Sequence, residues 1–349
     1  MSPGPALVPL AYSADAARRC VGDDWESTAL SAYRWMVLGR TLDARMQALQ
    51  RQGRVGFYGA ATGHEAVNVA AGLATARDDW IVPGLREQLT ALVRGHSLVT
   101  YAHHLFADDR DPARGRNMPC HPTAREVHYV SMSSVIGTQV THAVGLGLAL
   151  RARRDPGVAV AFFGDGATSS NDFHAGLNLA AVQGARVVFA CANNQWAISV
   201  PVERQTAAAS LAAKAAAYGL GGRRVDGTDF FATFAALREA LGAVRAGGPP
   251  ELLEFVVYRM TPHSSSDDPK RYQPADWSDR AAAHDPVGRL ESWLAAGGWL
   301  TDAARAAIQS EAEREVRAAI AAAESAPPPA ASSLTEDVYA AAASRPGGR

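Results

Sequence analysis

The stretch VAVAFFGDGATSSNDFHAGLNLAAVQGARVVFACANNQWAIS, residues 158–199, decides the fold. It holds two apolar runs, Val158–Phe163 and Arg186–Cys191, separated by a helical pattern in NDFHAGLNLAAVQG. Runs apolar at nearly every position, not at alternate ones, are strands covered on both faces, and such strands belong to parallel sheets. One helix between two such strands is a βαβ unit, so the strands are expected to be neighbours. Each run ends in a polar loop, GDGATSS after the first and ANNQWAIS after the second. In such sheets ligands bind beyond the carboxyl ends of the strands. Asp165 and Asn194 are therefore expected to converge although 29 positions separate them.

Outward from this unit the alternation continues. VHYVSM (127–132), GRRVDG (222–227) and ELLEFVVYRM (251–260) read as strands. GTQVTHAVGLGLALRARR, AAASLAAKAAAYG and DFFATFAALREALGAVRAGG read as helices. The fold class is α/β: a doubly wound, mainly parallel sheet with helices on both faces. Upstream, the spacing of Leu30, Tyr33, Val37, Leu38, Leu42 and Met46 predicts a helix over 27–52, ended by Gly53. Further helical stretches are expected near 63–75 and 86–95, and the Pro/Gly-rich, charged segment 107–126 as a long loop, of the kind that is usually functional or mobile. Residues 1–26 read as an irregular N-terminal arm, 27–325 as the cofactor domain with a helical tail, and 326–349 as a Pro-linked C-terminal segment.

With 349 residues and a net charge of −1, the chain can bury a large core and shows no surface bias toward nucleic acid or anionic membrane. Only Lys214 and Lys270 among its 34 basic residues are lysine, a compositional bias without functional content. Cys20, Cys120 and Cys191 lie far apart with no CxxC spacing, which argues against a disulfide framework and a zinc site. The N-terminus lacks a signal-peptide pattern, and no run reaches the ~18 apolar residues of a membrane span. A soluble, cytoplasmic protein is expected.

A carboxylate and an amide oxygen are hard ligands. They suit Mg²⁺, which takes one or two protein carboxylates and completes its octahedron with phosphate oxygens and water. Gly164 and Gly166 permit close backbone approach, and the following helix N-terminus favours an anion. The combination reads as a diphosphate clamp. A Mg²⁺-dependent phosphate-binding enzyme of another kind fits the same pattern.

The GDG and NN pair resembles the thiamin diphosphate signature. More of the chain resembles the E1α family of 2-oxo acid dehydrogenases, in particular the bacterial branched-chain type. The matching stretches are RQGRVGFYG (51–59), SSVIGTQVTHAVG (133–145), FFGDGATSSNDFHAGLN (162–178), NNQWAIS (193–199), RVDGTDFFA (224–232) and YRMTPHSSSDDPKRYQPADW (258–277). The resemblance implies thiamin-dependent oxidative decarboxylation of a branched 2-oxo acid and acyl transfer to a lipoyl group on E2. The second half of the thiamin site would come from a β subunit in an α₂β₂ assembly. Asp165, Asn194 and the Trp196 carbonyl would ligate Mg²⁺. Gly164, Gly166, Ala167 and Arg86 would meet the diphosphate, with Ser134, Ile136 and Ile198 toward the rest of the cofactor. His263 and Ser134 would be catalytic. Phe57 and Leu85 would line the acyl pocket, and Ser133, Thr138 and Gln139 match a K⁺ loop of some relatives. His64, His121 and His128 are read as structural or loop residues, as is Ser264.

Two positions depart from the family pattern. Leu85 stands where relatives carry a tyrosine, and Ala192 where the eukaryotic branched-chain pattern has an arginine. A lost charge-assisted contact costs about 1.5–3 kcal/mol. Pyruvate or acetoin as substrate, and a cofactor-binding subunit without catalysis, remain open at this point.

Overall fold

The computed structural model describes residues 13–336 and Val338. Its centre is a five-stranded, all-parallel sheet of β1 (Trp80–Val82), β2 (Ala159–Gly164), β3 (Val187–Asn193), β6 (Gly221–Asp226) and β7 (Glu251–Val256), in the order β1-β2-β3-β7-β6. A two-residue ribbon, β4 (Trp196–Ala197) with β5 (Val200–Pro201), follows β3. Every residue of β3 is buried, as the unbroken apolar run requires.

Alternate strand residues feed two cores. Val160, Phe162, Val188, Ala190 and Phe255 face one side, against α2 (Trp25–Arg51), α3 (Glu65–Ala74) and α8 (Phe230–Arg245). Ala161, Phe163, Val187, Phe189 and Cys191 face the other, against α6 (Thr138–Ala152) and α7 (Asn171–Gln183). Helix α7 starts where the Ser170 hydroxyl accepts a hydrogen bond from Phe173 N and stops at Gly184, whose φ is +60°. The helices α1 (Ala14–Val21), α4 (Gln88–Val93), α5 (Leu98–Phe106), α9 (Trp277–Ala282), α10 (Pro286–Ala296) and α11 (Asp302–Glu324) complete the described helical layer. No described helix is long and apolar enough to cross a membrane.

Three local expectations are corrected. Within the expected irregular arm, Ala14–Val21 is helical, because Ser13 caps it and Ala17 and Cys20 enter the core; residues 1–12 of that arm lie outside the described residues. The stretch 127–132 is no strand: Tyr129 makes isolated bridges to Ile81 and Ala124, and the edge strand is β1. The alanine-rich 207–219 forms a 3₁₀ segment, Ala212–Tyr218, in place of an α-helix. There the first backbone donor is taken by the sheet, Ala212 N donating to Glu254 Oε2 at 2.8 Å.

Candidate functional site

Strands β2 and β3 pair so that Gly164 lies beside Ala192. The loops that follow both leave the same sheet edge, and β7 brings residues 257–263 there as well. Phe57, Leu85, Arg86, Ser134, Ile136, Gln139, Gly164, Asp165, Gly166, Ala167, Asn194, Trp196, Ile198 and His263 line one cavity of about 390 Å³. Of the sequence candidates, only Ser133 and Thr138 lie off its wall. Their turn is closed on itself: Thr138 Oγ1 donates to Val135 O at 2.8 Å, and Gln139 Nε2 donates to Ser133 O at 3.1 Å.

Asp165 opens a 3₁₀ turn, Asp165–Ser169, and is 2% exposed. Its Oδ2 accepts from Gln205 Nε2 at 2.6 Å. Burial pushes the carboxyl's pKa up despite that bond. Asn194 Oδ1 accepts from Trp196 N at 3.2 Å. The two glycines differ. A Cβ on Gly166 would come within 2.8 Å of Ala197 Cβ, so glycine lets the two loops approach. A Cβ on Gly164 would meet nothing within 4 Å, so its bare backbone opens onto space. Neither needs a positive φ.

Two desolvated guanidiniums stand beside these loops. Arg86 donates to the carbonyls of Ala60 and His263, the latter at 2.7 Å. Arg259 donates to Trp196 O at 3.3 Å and Ile198 O at 2.9 Å, and to Tyr272 Oη at 2.7 Å. Tyr272 in turn donates to Asp267, which accepts from His263 N at 2.8 Å. Among the described residues no carboxylate lies within ion-pairing distance of Arg86 or Arg259. Burial and then Arg259 lower Arg86 to about 10. Arg86, a buried cation without a carboxylate partner on the cavity wall, fits an anionic ligand, while Arg259 stands behind the wall and adds positive potential. Among the described residues no group of three acidic, imidazole or thiol side chains is placed to hold a metal ion, so a cation at Asp165 and Asn194 would complete its shell with a backbone carbonyl, that anion and water. The donor set fits a Mg²⁺–diphosphate group.

Phe57, Leu85, Met118, Met132, Ile136 and Ile198 form an apolar part of the wall, with Met118, Ile136 and Ile198 exposed at its mouth. Both departures from the family pattern, Leu85 and Ala192, are on the cavity wall. Sequence reading missed Glu87, Met118 and Met132 on the cavity wall and Arg259 behind it, and it left His64 and His121, which line the cavity, as structural. Glu87 is buried, and its pKa is raised to about 7 by that burial.

His263 is pushed down to about 4, by burial first and then by Arg86 and Arg259. Its unfolded value is about 6.5. Between these values the unfolded chain binds the proton and the folded chain does not, so stability falls as pH drops through this window. The melting temperature of the ligand-free chain is expected to fall more between pH 6.5 and 4.5 than that of His263→Gln, and parallel curves would refute the assignment.

Fold and site together define an α/β chain with a cavity at the carboxyl edge of a parallel sheet, lined by a buried carboxylate and a buried guanidinium. The family model "Dehydrogenase E1 component" matches residues 33–332, and the chain belongs to that family of thiamin-dependent 2-oxo acid decarboxylating enzymes. It is 42% identical over 283 residues to the 3-methyl-2-oxobutanoate dehydrogenase subunit alpha of Mycobacterium tuberculosis, covering 80% of this chain and 74% of that one. It is 37% identical over 318 residues to the mitochondrial 2-oxoisovalerate dehydrogenase subunit alpha 1 of Arabidopsis thaliana, covering 90% and 67%. The Bacillus subtilis 2-oxoisovalerate dehydrogenase subunit alpha is 37% identical over 279 residues, covering 79% and 84%. A phosphate-binding enzyme unrelated to thiamin is thereby set aside.

Proposed function

We propose that the chain is the α subunit of a branched-chain 2-oxo acid dehydrogenase E1 acting on acids such as 3-methyl-2-oxobutanoate. The acyl product passes to the lipoyl group of E2. The observation that carries this reading is the convergence of Asp165, Asn194 and the desolvated Arg86 in one cavity with an apolar mouth. The names of its relatives support the choice of acid.

Thiamin diphosphate, when bound, supplies the electron sink for loss of carbon dioxide. The chain's own residues bind, orient and exclude water. Asp165 and Asn194 would hold Mg²⁺, with the Trp196 carbonyl, now shared with Arg259, as a third ligand. Gly164, Gly166 and Ala167 would offer backbone to the diphosphate, and Arg86 its charge. Ser134, Ile136 and Ile198 would border the cofactor's rings. His263, neutral near pH 7, would offer a hydrogen-bonding imidazole to the substrate without repelling Arg86. Phe57, Leu85, Met118 and Met132 would surround a branched acyl chain and keep water from it. The 133–139 turn would hold a structural K⁺.

Val135, Ile136, Ile198 and Val200 are exposed large apolar side chains, and Ile136 and Ile198 are at the cavity mouth. Apolar surface at a ligand site is a mark of a partner. This supports closure of the cavity by a β subunit in an α₂β₂ assembly; a cytoplasmic location belongs to the same proposal.

The test is decarboxylation by the chain reconstituted with its β subunit, followed with an artificial electron acceptor. A rate dependent on thiamin diphosphate and Mg²⁺, at least about tenfold higher in kcat/KM for 3-methyl-2-oxobutanoate than for pyruvate, is expected; two added methyl groups in an apolar pocket supply a difference of that order. A preference for pyruvate would overturn the branched-chain assignment, and the absence of any rate with cofactor bound would leave a non-catalytic subunit.

A further inference from the structure

The hydroxyl of Ser134 lies 2.5 Å from Nε2 of His121, and both residues line the cavity. The other ring nitrogen, Nδ1, lies 3.0 Å from the Pro119 carbonyl oxygen. A carbonyl only accepts, so Nδ1 carries the proton and donates it. In a neutral imidazole the second nitrogen is then an acceptor, and Ser134 must be the donor to it. A serine hydroxyl has a single proton. Once that proton is committed to His121, lone pairs are all the oxygen can present to a ligand.

The loop carrying His121 is anchored by bonds that do not involve its ring. The His121 backbone N–H donates to His104 Nε2 at 3.1 Å, and His104 Nδ1 faces Asp111 Oδ1 at 3.2 Å. Asp111 Oδ2 accepts from Gly115 N at 2.9 Å, and Asn117 Nδ2 donates to the His121 carbonyl at 3.2 Å. The imidazole can therefore be exchanged without releasing the backbone.

We propose that His121 is a positioning residue of the cofactor site: it holds the Ser134 hydroxyl as a hydrogen-bond acceptor toward the cavity, selecting a ligand group that donates an N–H or O–H. An amino group on a heteroaromatic ring has that character, whereas a phosphate or carboxylate oxygen does not. The inference rests on the reading of the cavity as a thiamin diphosphate site with Ser134 toward the ring. It adds to that reading the residue that sets the polarity of the contact, as outer partners commonly orient the groups that touch a ligand.

The first measurement needs no ligand. In the full chain labelled with nitrogen-15 histidine, the His121 ring, assigned by its loss in His121→Phe, is expected as the Nδ1–H tautomer at neutral pH. A protonated Nε2 overturns the proposal. Thiamin diphosphate is then titrated, with Mg²⁺, into the chain assembled with its β subunit. Ser134→Ala and His121→Phe are each expected to weaken binding by about fivefold to tenfold, the size of one hydrogen bond. The double variant is expected to lose no more than either alone, because the two residues act as one device. His121→Gln, whose amide oxygen can accept from Ser134, restores affinity to within about twofold. Unchanged affinity in His121→Phe, or multiplied losses in the double variant, overturns the proposal. An unmodified assembly that binds no thiamin diphosphate would instead overturn the thiamin reading, and with it the assigned donor, while the tautomer measurement would still decide the state of the His121 ring.

Discussion

Asp165→Ala is expected to lower decarboxylation by roughly 10²–10³-fold, the loss typical of removing one preorganised charged group from a site. The carboxylate sits one residue beyond β2, 2% exposed, with Gln205 as its hydrogen-bond donor at 2.6 Å. No guanidinium or ammonium group of the described residues pairs with it. A buried carboxylate without a cation is costly unless something else neutralises it. Alanine removes that desolvated charge and leaves the Gln205 amide short of one acceptor, although Gln205 Nε2 still reaches Val200 O at 3.3 Å. The ligand-free variant is therefore expected to melt within a few degrees of the parent. What disappears is the rise in melting temperature that Mg²⁺ with thiamin diphosphate gives the parent assembly. A variant that keeps that rise, with a rate within about fivefold of the parent, would show that Asp165 holds no metal.

The legibility of this chain follows the physics of each segment. Strands β2 and β3 were readable because full burial writes an unbroken apolar run, and that placed Asp165 and Asn194 on one edge. Strand β1 was not, because Trp80, Ile81 and Val82 are too few to show any period. Tyr129 fooled the pattern for a related reason. Its neighbours bond to β1 through Ile81 alone, Ile81 N to His128 O and Val130 N to Ile81 O, which is one rung of a ladder and no strand. The 3₁₀ segment 212–218 shows tertiary contact overriding propensity. Gly222 of β6 approaches so closely that a Cβ there would lie 2.1 Å from the Ala212 carbonyl oxygen, and Lys214 is tied to Thr168 O at 3.1 Å.

The site divides the same way. Asp165, Asn194 and His263, which lie inside motifs, share one cavity wall. His121 comes from a long loop with no period, and its meaning lies in a partner, Ser134, that only the fold brings to it. Met118 and Met132 read as ordinary apolar residues, since nothing in one sequence separates a pocket wall from a core wall. Arg259 is 1% exposed and binds the two carbonyls of the 196–198 turn; a single arginine after a strand could not announce that.

The second large effect is one of stability, at Gly63. Its φ is +97°, and a Cβ there would lie 1.9 Å from the Tyr258 carbonyl oxygen and 3.2 Å from Met260 Cγ. The contact is between two segments that are tied together along their length: Ser265 N donates to Tyr58 O at 3.1 Å, Tyr58 N to Ser265 Oγ at 3.3 Å, and Met260 N to Thr62 O at 3.4 Å. The second of these segments carries Arg259 and His263. Gly63→Ala therefore imposes backbone strain of about 1–2 kcal/mol and, in addition, a collision with the main chain at Tyr258 that forces the two segments apart. A total loss of about 3 kcal/mol or more is expected, together with weaker cofactor binding in whatever folds. Gly219→Ala separates the two contributions. Gly219 also has a positive φ, +72°, but a Cβ there meets nothing within 4 Å, so it carries the strain alone. Denaturant midpoints of the two variants measure the difference directly. If Gly63→Ala loses no more than Gly219→Ala, the two segments are not in contact at Gly63, and the placement of His263 over the cavity loses one of its supports.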